Sequence, residues 1–143
     1  MNNKRAQTGL ELMVVVGVSM GVLIVSCVML YEYAKFSTNS LFEAKIDEIG
    51  KSMVSNALIV SNYGPPARRV IQYNFPDNLL NMSIVDEHTL YFHTYIYGRE
   101  SYNGFYSEVN LTGMFLPDDY AEGNKRFLIE AKGDEVLIER WRK

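Results

Sequence analysis

Hydrophobic and polar positions follow two different rules along this chain, and the change falls near residue 63. From Leu12 to Leu30 every residue is apolar or small, with no charge after Glu11. The run is about as long as a helix needs to cross a bilayer core of roughly 30 Å. Further on, "LFEAKIDEIGKSMVSNALIVSNYG" sets Phe42, Ile46, Ile49, Met53 and Val60 at spacings near three and four, with Glu43, Lys45, Asp47, Glu48 and Lys51 between them. That is the apolar stripe of an amphipathic helix. Ser37-Thr38-Asn39-Ser40 is weak helix former and a candidate hinge, but no proline or glycine breaks it. The pattern therefore predicts one helix over residues 7–62, with a length on the order of 80 Å. A single small domain cannot bury so long an element.

Tyr63-Gly64-Pro65-Pro66 ends the helical pattern, because glycine caps and proline cannot continue. Beyond it the period becomes 2. Ile71, Tyr73 and Phe75 alternate with Gln72 and Asn74, and Leu80, Met82 and Ile84 alternate with Asn81 and Ser83. "LYFHTYIY" places Leu90, Phe92, Thr94 and Ile96 on one face and Tyr91, His93, Tyr95 and Tyr97 on the other. Val109 and Leu111 alternate with Glu108, Asn110 and Thr112, and "RFLIEAKGDEVLIER" reads as two strands around a Gly133-Asp134 turn. Six or so short strands predict a small antiparallel sheet or sandwich, so the fold class is α+β: a long N-terminal transmembrane and assembly helix, then a β-rich head over residues 63–143. About 80 residues fold this way only marginally. Packing the sheet on the second half of the helix would help.

Composition narrows the function classes. The 143 residues carry a formal charge of −3, and basic residues cluster in nothing longer than pairs, which argues against a nucleic-acid partner. Cys27 is the single cysteine, so no disulfide within the chain is available to an exported head. Lys4 and Arg5 precede the apolar run while charges after it are mixed, which orients the N-terminus to the cytoplasm and the rest outside.

The first six residues, "MNNKRA", stand outside the helical pattern and form a processing-site signature: two basic residues, then a small one, before the apolar stretch rather than after it. "KRAQTGLE" followed by a long apolar helix resembles the class III signal peptide of archaeal type IV pilin-like proteins. The resemblance is specific over about 25 residues and implies a leader of residues 1–6, with Lys4 and Arg5 as its basic pair. A prepilin peptidase would cut between Ala6 and Gln7, leaving Glu11 at the fifth mature position. The third mature position, commonly serine in that family, is Gly9. The resemblance further implies a structural role. The partners would be like or related pilin subunits and a membrane assembly machinery, in a cell-surface filament for adhesion.

The position of Glu11 then acquires a physical reason. Cleavage creates an α-amino group at Gln7, one helical turn from Glu11 or near the Glu11 of an adjacent subunit. An ammonium and a carboxylate neutralise each other far better than either survives alone in low dielectric. Otherwise Glu11 sits at headgroup depth, where ionisation costs little. Gly17 and Gly21, with Gly9 and Met13 on the same row, let helix backbones approach closely. A minor pilin and a single-span anchored surface domain are the alternatives. "IVSC", ending at Cys27, also fits a lipoprotein leader. Against that pattern, Glu11 interrupts the leader core and "VMLYEYAKF" follows where a polar tether belongs.

No catalytic constellation, cofactor site or metal site emerges, and the chain is not expected to be an enzyme. His88 and His93 face opposite sides of a continuous strand, and Asp118-Asp119 with Glu122 lacks the ligand spacing of a calcium loop. No nucleophile elbow, phosphate loop or zinc motif is present. Asn81-Met82-Ser83 and Asn110-Leu111-Thr112 are N-glycosylation sequons, triplets that also arise by chance; alternation puts both asparagines on polar faces. In "YFHTYIYGRESYNGFY", Phe92 and Ile96 read as core, while Tyr91, Tyr95 and Tyr97 suit either a core or an adhesive or subunit-contact surface.

Overall fold

The computed structural model describes the backbone of residues 2–142 and the side chains of residues 7–142. Helix α1 runs Asn2–Tyr63 without interruption, and Thr38 Oγ1 and Ser40 Oγ bond back to Ala34 O and Ser37 O rather than opening a hinge. The helix begins five residues earlier than the sequence pattern suggests, since no glycine or proline stops it there. Its end falls where expected: Gly64 takes φ +67°, and its N–H donates to Ser61 O at 2.9 Å.

Two compact units divide the chain, residues 1–40 and 41–143. The first is the helix alone. In the second, the lower helix packs on seven strands: β1 (Arg68–Phe75), β2 (Leu79–Val85), β3 (Thr89–Ile96), β4 (Arg99–Tyr106), β5 (Asn110–Thr112), β6 (Gly123–Lys132) and β7 (Glu135–Arg140), with a short helix α2 (Pro117–Tyr120). They form a four-stranded sheet in the order β1-β6-β7-β5 and a three-stranded sheet in the order β2-β3-β4. The expected α+β arrangement of a long helix and a small β head is what the chain adopts.

Three details differ from the expectation. First, β5 pairs with β7 in parallel, so the four-stranded sheet is mixed. The segment after β5 carries α2 and returns at the same end, skipping one strand position. The β6–β7 hairpin then drops β7 into that gap, alongside β5. Second, Leu79 rather than Leu80 is buried, because a register shift between Leu79 and Asn81 turns Leu80 outward. Third, "RESYNGFY" is a full strand, β4, joined to β3 by Tyr97-Gly98 with both residues at positive φ (55° and 75°). A two-residue turn of that shape favours Asn-Gly or Asp-Gly, and a leading tyrosine hid it.

The helical stripe closes the core. Phe42, Ile46, Ile49, Met53 and Val60 are all buried, together with Ala57. They meet Phe75, Phe92 and Phe127, whose rings bridge the two sheets at centroid distances of 6.4 Å (Phe75–Phe92) and 5.7 Å (Phe75–Phe127). On one side the helix reaches β1, where Arg69 Nη1 donates to Asn56 Oδ1 at 2.8 Å and Ser52 Oγ lies 3.3 Å from the Tyr73 hydroxyl. On the other side Phe105 of β4 presses its ring against the backbone at Gly50, where any Cβ would collide with it. The lower helix thus meets β1 on one side and β4 on the other.

Candidate functional site

Residues 7–36 of α1 form the most unusual surface of the described residues. Large apolar side chains from Leu10 to Phe36 are all at least half exposed. Valine recurs at 14, 15, 16, 18, 22, 25 and 28, a residue that lowers helix propensity in water. A soluble monomer does not leave so large an apolar surface uncovered. Ser19 and Ser26 donate to Val15 O and Val22 O at 2.8 Å, so both hydroxyls are satisfied within the helix, as hydrocarbon surroundings require. Tyr31 and Tyr33 follow at the far margin, exposed, where an aromatic belt would lie.

At the near margin, Gln7 Nε2 donates to Glu11 Oε1 at 3.4 Å, so the two sit one turn apart on one helix face. Lys4, Arg5 and Ala6, expected in a leader, lie outside the residues whose side chains are described. Gly9, Gly17 and Gly21 face open space, since a Cβ at each would meet nothing within 4 Å. No packing inside the chain therefore accounts for these glycines. Cys27 is exposed on the same helix, as a free thiol.

Among the described residues, no three His, Cys, Asp or Glu side chains gather to hold a metal ion. His88 occupies the β2–β3 turn with Nδ1 at 3.2 Å from Ser107 O, and His93 lies on β3 with Nε2 at 3.2 Å from Glu100. Asp119, at the start of the short helix α2, is buried. It accepts from Leu116 N at 2.8 Å, Arg142 Nη2 at 3.1 Å and Arg140 Nη1 at 3.4 Å. Burial pulls its pKa upward, but the Leu116 N–H and the two guanidinium groups outweigh that and hold it below the ordinary aspartate range. Local sequence gave no sign of this, because both arginines lie more than twenty residues on. Burial also pushes the Tyr73 phenol up, against the lowering effect of its Ser52 and Asn56 neighbours.

The two sequons differ in access. Asn81 is exposed on the outer face of β2, whereas Asn110 is half-buried in β5. Phe92 and Ile96 are core, Tyr91 is half-buried on the outer face, and Tyr95 and Tyr97 are exposed.

Fold and surface define an α+β head carried on a helix long and apolar enough to cross a membrane. No protein-family model, characterised protein or solved structure matches the chain.

Proposed function

We propose that this chain is a type IV pilin-like subunit. A prepilin peptidase removes residues 1–6 at the Ala6–Gln7 bond, and the mature helix carries the protein from the membrane into a surface filament. The observation that carries this reading is the pairing of Gln7 with Glu11 at the edge of a fully exposed apolar helix. A carboxylate there needs a cation before it enters a bundle, and the processed N-terminus supplies one. Glycines with nothing packed on them support helix–helix contact with other subunits along the same segment.

A second reading, a single-span anchored surface domain or minor pilin, draws support from the lower helix. Its stripe is spent on its own head, with Met53 and Ala57 both 0% exposed, which leaves only scattered apolar residues such as Leu41, Ile59 and Tyr63 to offer a neighbour. The mature N-terminus, read by mass spectrometry of protein from native membranes, tests both. A terminus at Gln7 supports the pilin reading. An uncut Met1 leaves the anchored domain, and a lipidated Cys27 overturns the account of Glu11.

A further inference from the structure

The outer face of the three-stranded sheet contributes nothing to the core. Three cross-strand pairs set its centre: His93 with Tyr102, Tyr91 with Gly104, and Thr89 with Tyr106. The His93 ring stacks flat on Tyr102, with centroids 4.3 Å apart and planes within 4°. His88, in the preceding turn, stacks on Tyr106 at 5.9 Å. Between these pairs the Tyr91 ring lies across Gly104, so close that a Cβ there would meet it at 3.0 Å. Glycine weakens a strand interior and commonly marks a close approach. The approach here is that of the Tyr91 ring. The result is a slot with a tyrosine floor, flanked by two tyrosines that are 65% and 70% exposed and each backed by a histidine.

The chemistry of the slot selects its occupant. Among the described residues paired into this face, Glu100 is the single charged group, and His93 holds it at 3.2 Å. A surface whose one charge is a carboxylate already engaged by His93 has no complement for nucleic acid or anionic lipid. Planar rings tipped with hydroxyls, beside the Asn81 amide, match a ligand that is itself uncharged, with apolar C–H faces and many hydroxyls. Gly104 and Tyr106 also line a cleft of about 410 Å³ with Lys51 and Ser55 of α1 and with Glu108. That cleft adjoins the Tyr106 end of the slot, and its volume falls in the range of small-molecule sites.

We infer that this slot binds a neutral polysaccharide chain, sugar faces stacking on Tyr91, Tyr102 and Tyr106. The inference rests on the proposed exposure of the head at the cell surface and gives that surface its ligand class. The test uses the full chain in detergent micelles, made in a host that adds no N-glycans. Binding is measured by interferometry to an immobilised β-glucan, α-mannan and xylan, with alginate and anionic lipid vesicles as charged controls. At least one neutral polymer is expected to bind and neither control should. Tyr102→Ala and Tyr106→Ala are each expected to weaken binding about tenfold, and the double variant to abolish it. Because both rings are mostly exposed, thermal melts of these variants should match the parent.

Binding to none of the three polymers overturns the inference, as does binding that survives the double variant. So does a parent that self-associates without binding sugar and becomes monomeric when both tyrosines are removed, which would make the face a contact between copies. The assay uses the uncut chain, so a native terminus at Met1 would remove the filament reading and leave this site intact. Failure to bind sugar would leave the filament reading intact.

Discussion

Replacing Asp119 with alanine tests whether the head depends on a single buried carboxylate. Asp119 is 2% exposed and fixes three groups at once: the Leu116 N–H at the start of α2 and the guanidinium groups of Arg142 and Arg140. Losing the bond from Leu116 N to a charged acceptor costs about 1.5–3 kcal/mol. The arginine side chains are 27% and 60% exposed, so water partly replaces the carboxylate, and each adds at most about 1 kcal/mol. The sum is roughly 2–4 kcal/mol, or a fall in Tm on the order of 10–20 °C for a head of this size. Asp119→Asn keeps an acceptor for Leu116 N without the charge and should lose about half as much.

The pH dependence has a definite sign. The folded pKa lies below the ordinary 3.8, so the stabilisation by the ionised group is fully present above about pH 4 and is lost as pH falls through the lower folded value. Thermal melts followed by circular dichroism in micelles should show a constant gap between the parent and Asp119→Asn from pH 7 to about pH 4, narrowing in more acid solution. A melt of Asp119→Ala within about 2 °C of the parent, or a gap that does not narrow in acid, would refute the reasoning.

Three further outcomes are expected. Gly50→Leu should destabilise the head by about 1–3 kcal/mol although leucine is the better helix former, because Phe105 occupies the space; denaturant unfolding of Gly50→Leu with and without Phe105→Ala reads whether the ring is the cause. Glu11→Ala should leave membrane insertion intact and abolish filaments seen by electron microscopy of the native cells; normal filaments from this variant would sink the charge-pairing account. In a host that adds N-glycans, peptide mapping should find Asn81 occupied and Asn110 bare, since only Asn81 is exposed.

Local pattern revealed what local physics decides. The stripe from Phe42 to Val60, the stop at Gly64 and the Gly133-Asp134 hairpin were legible because each depends on a few neighbouring residues. The parallel β5–β7 pair was not, since it follows from which strand position a connection skips, a matter of whole-sheet topology. The Tyr97-Gly98 hairpin was missed because tyrosine at positive φ departs from turn preference. Gly50 and Gly104 show a third kind of failure. Each reads as a weak point in its element, and each is explained only by an aromatic ring supplied from elsewhere in the sequence, Phe105 and Tyr91. The apolar segment with Glu11 at its margin was visible from the start. The tyrosine slot was not, because it exists only once β3 and β4 are in register.

How the head is closed bears on how the protein can associate. Two of the sheet edges are poor templates for strand addition, since β5 is three residues long and β2 is bulged and flanked by α2. The lower helix commits its apolar stripe to its own core. Apolar surface without a partner is therefore concentrated between Leu10 and Phe36. Lipid satisfies that surface without specificity, whereas other helices satisfy it only if the polar groups it carries are matched. Under the proposed processing, Glu11 is the group hardest to match, and the new ammonium one turn away would meet its need for a cation. Processing at Ala6–Gln7 would then act as the switch between membrane and filament, while the head stays free to present its tyrosine face.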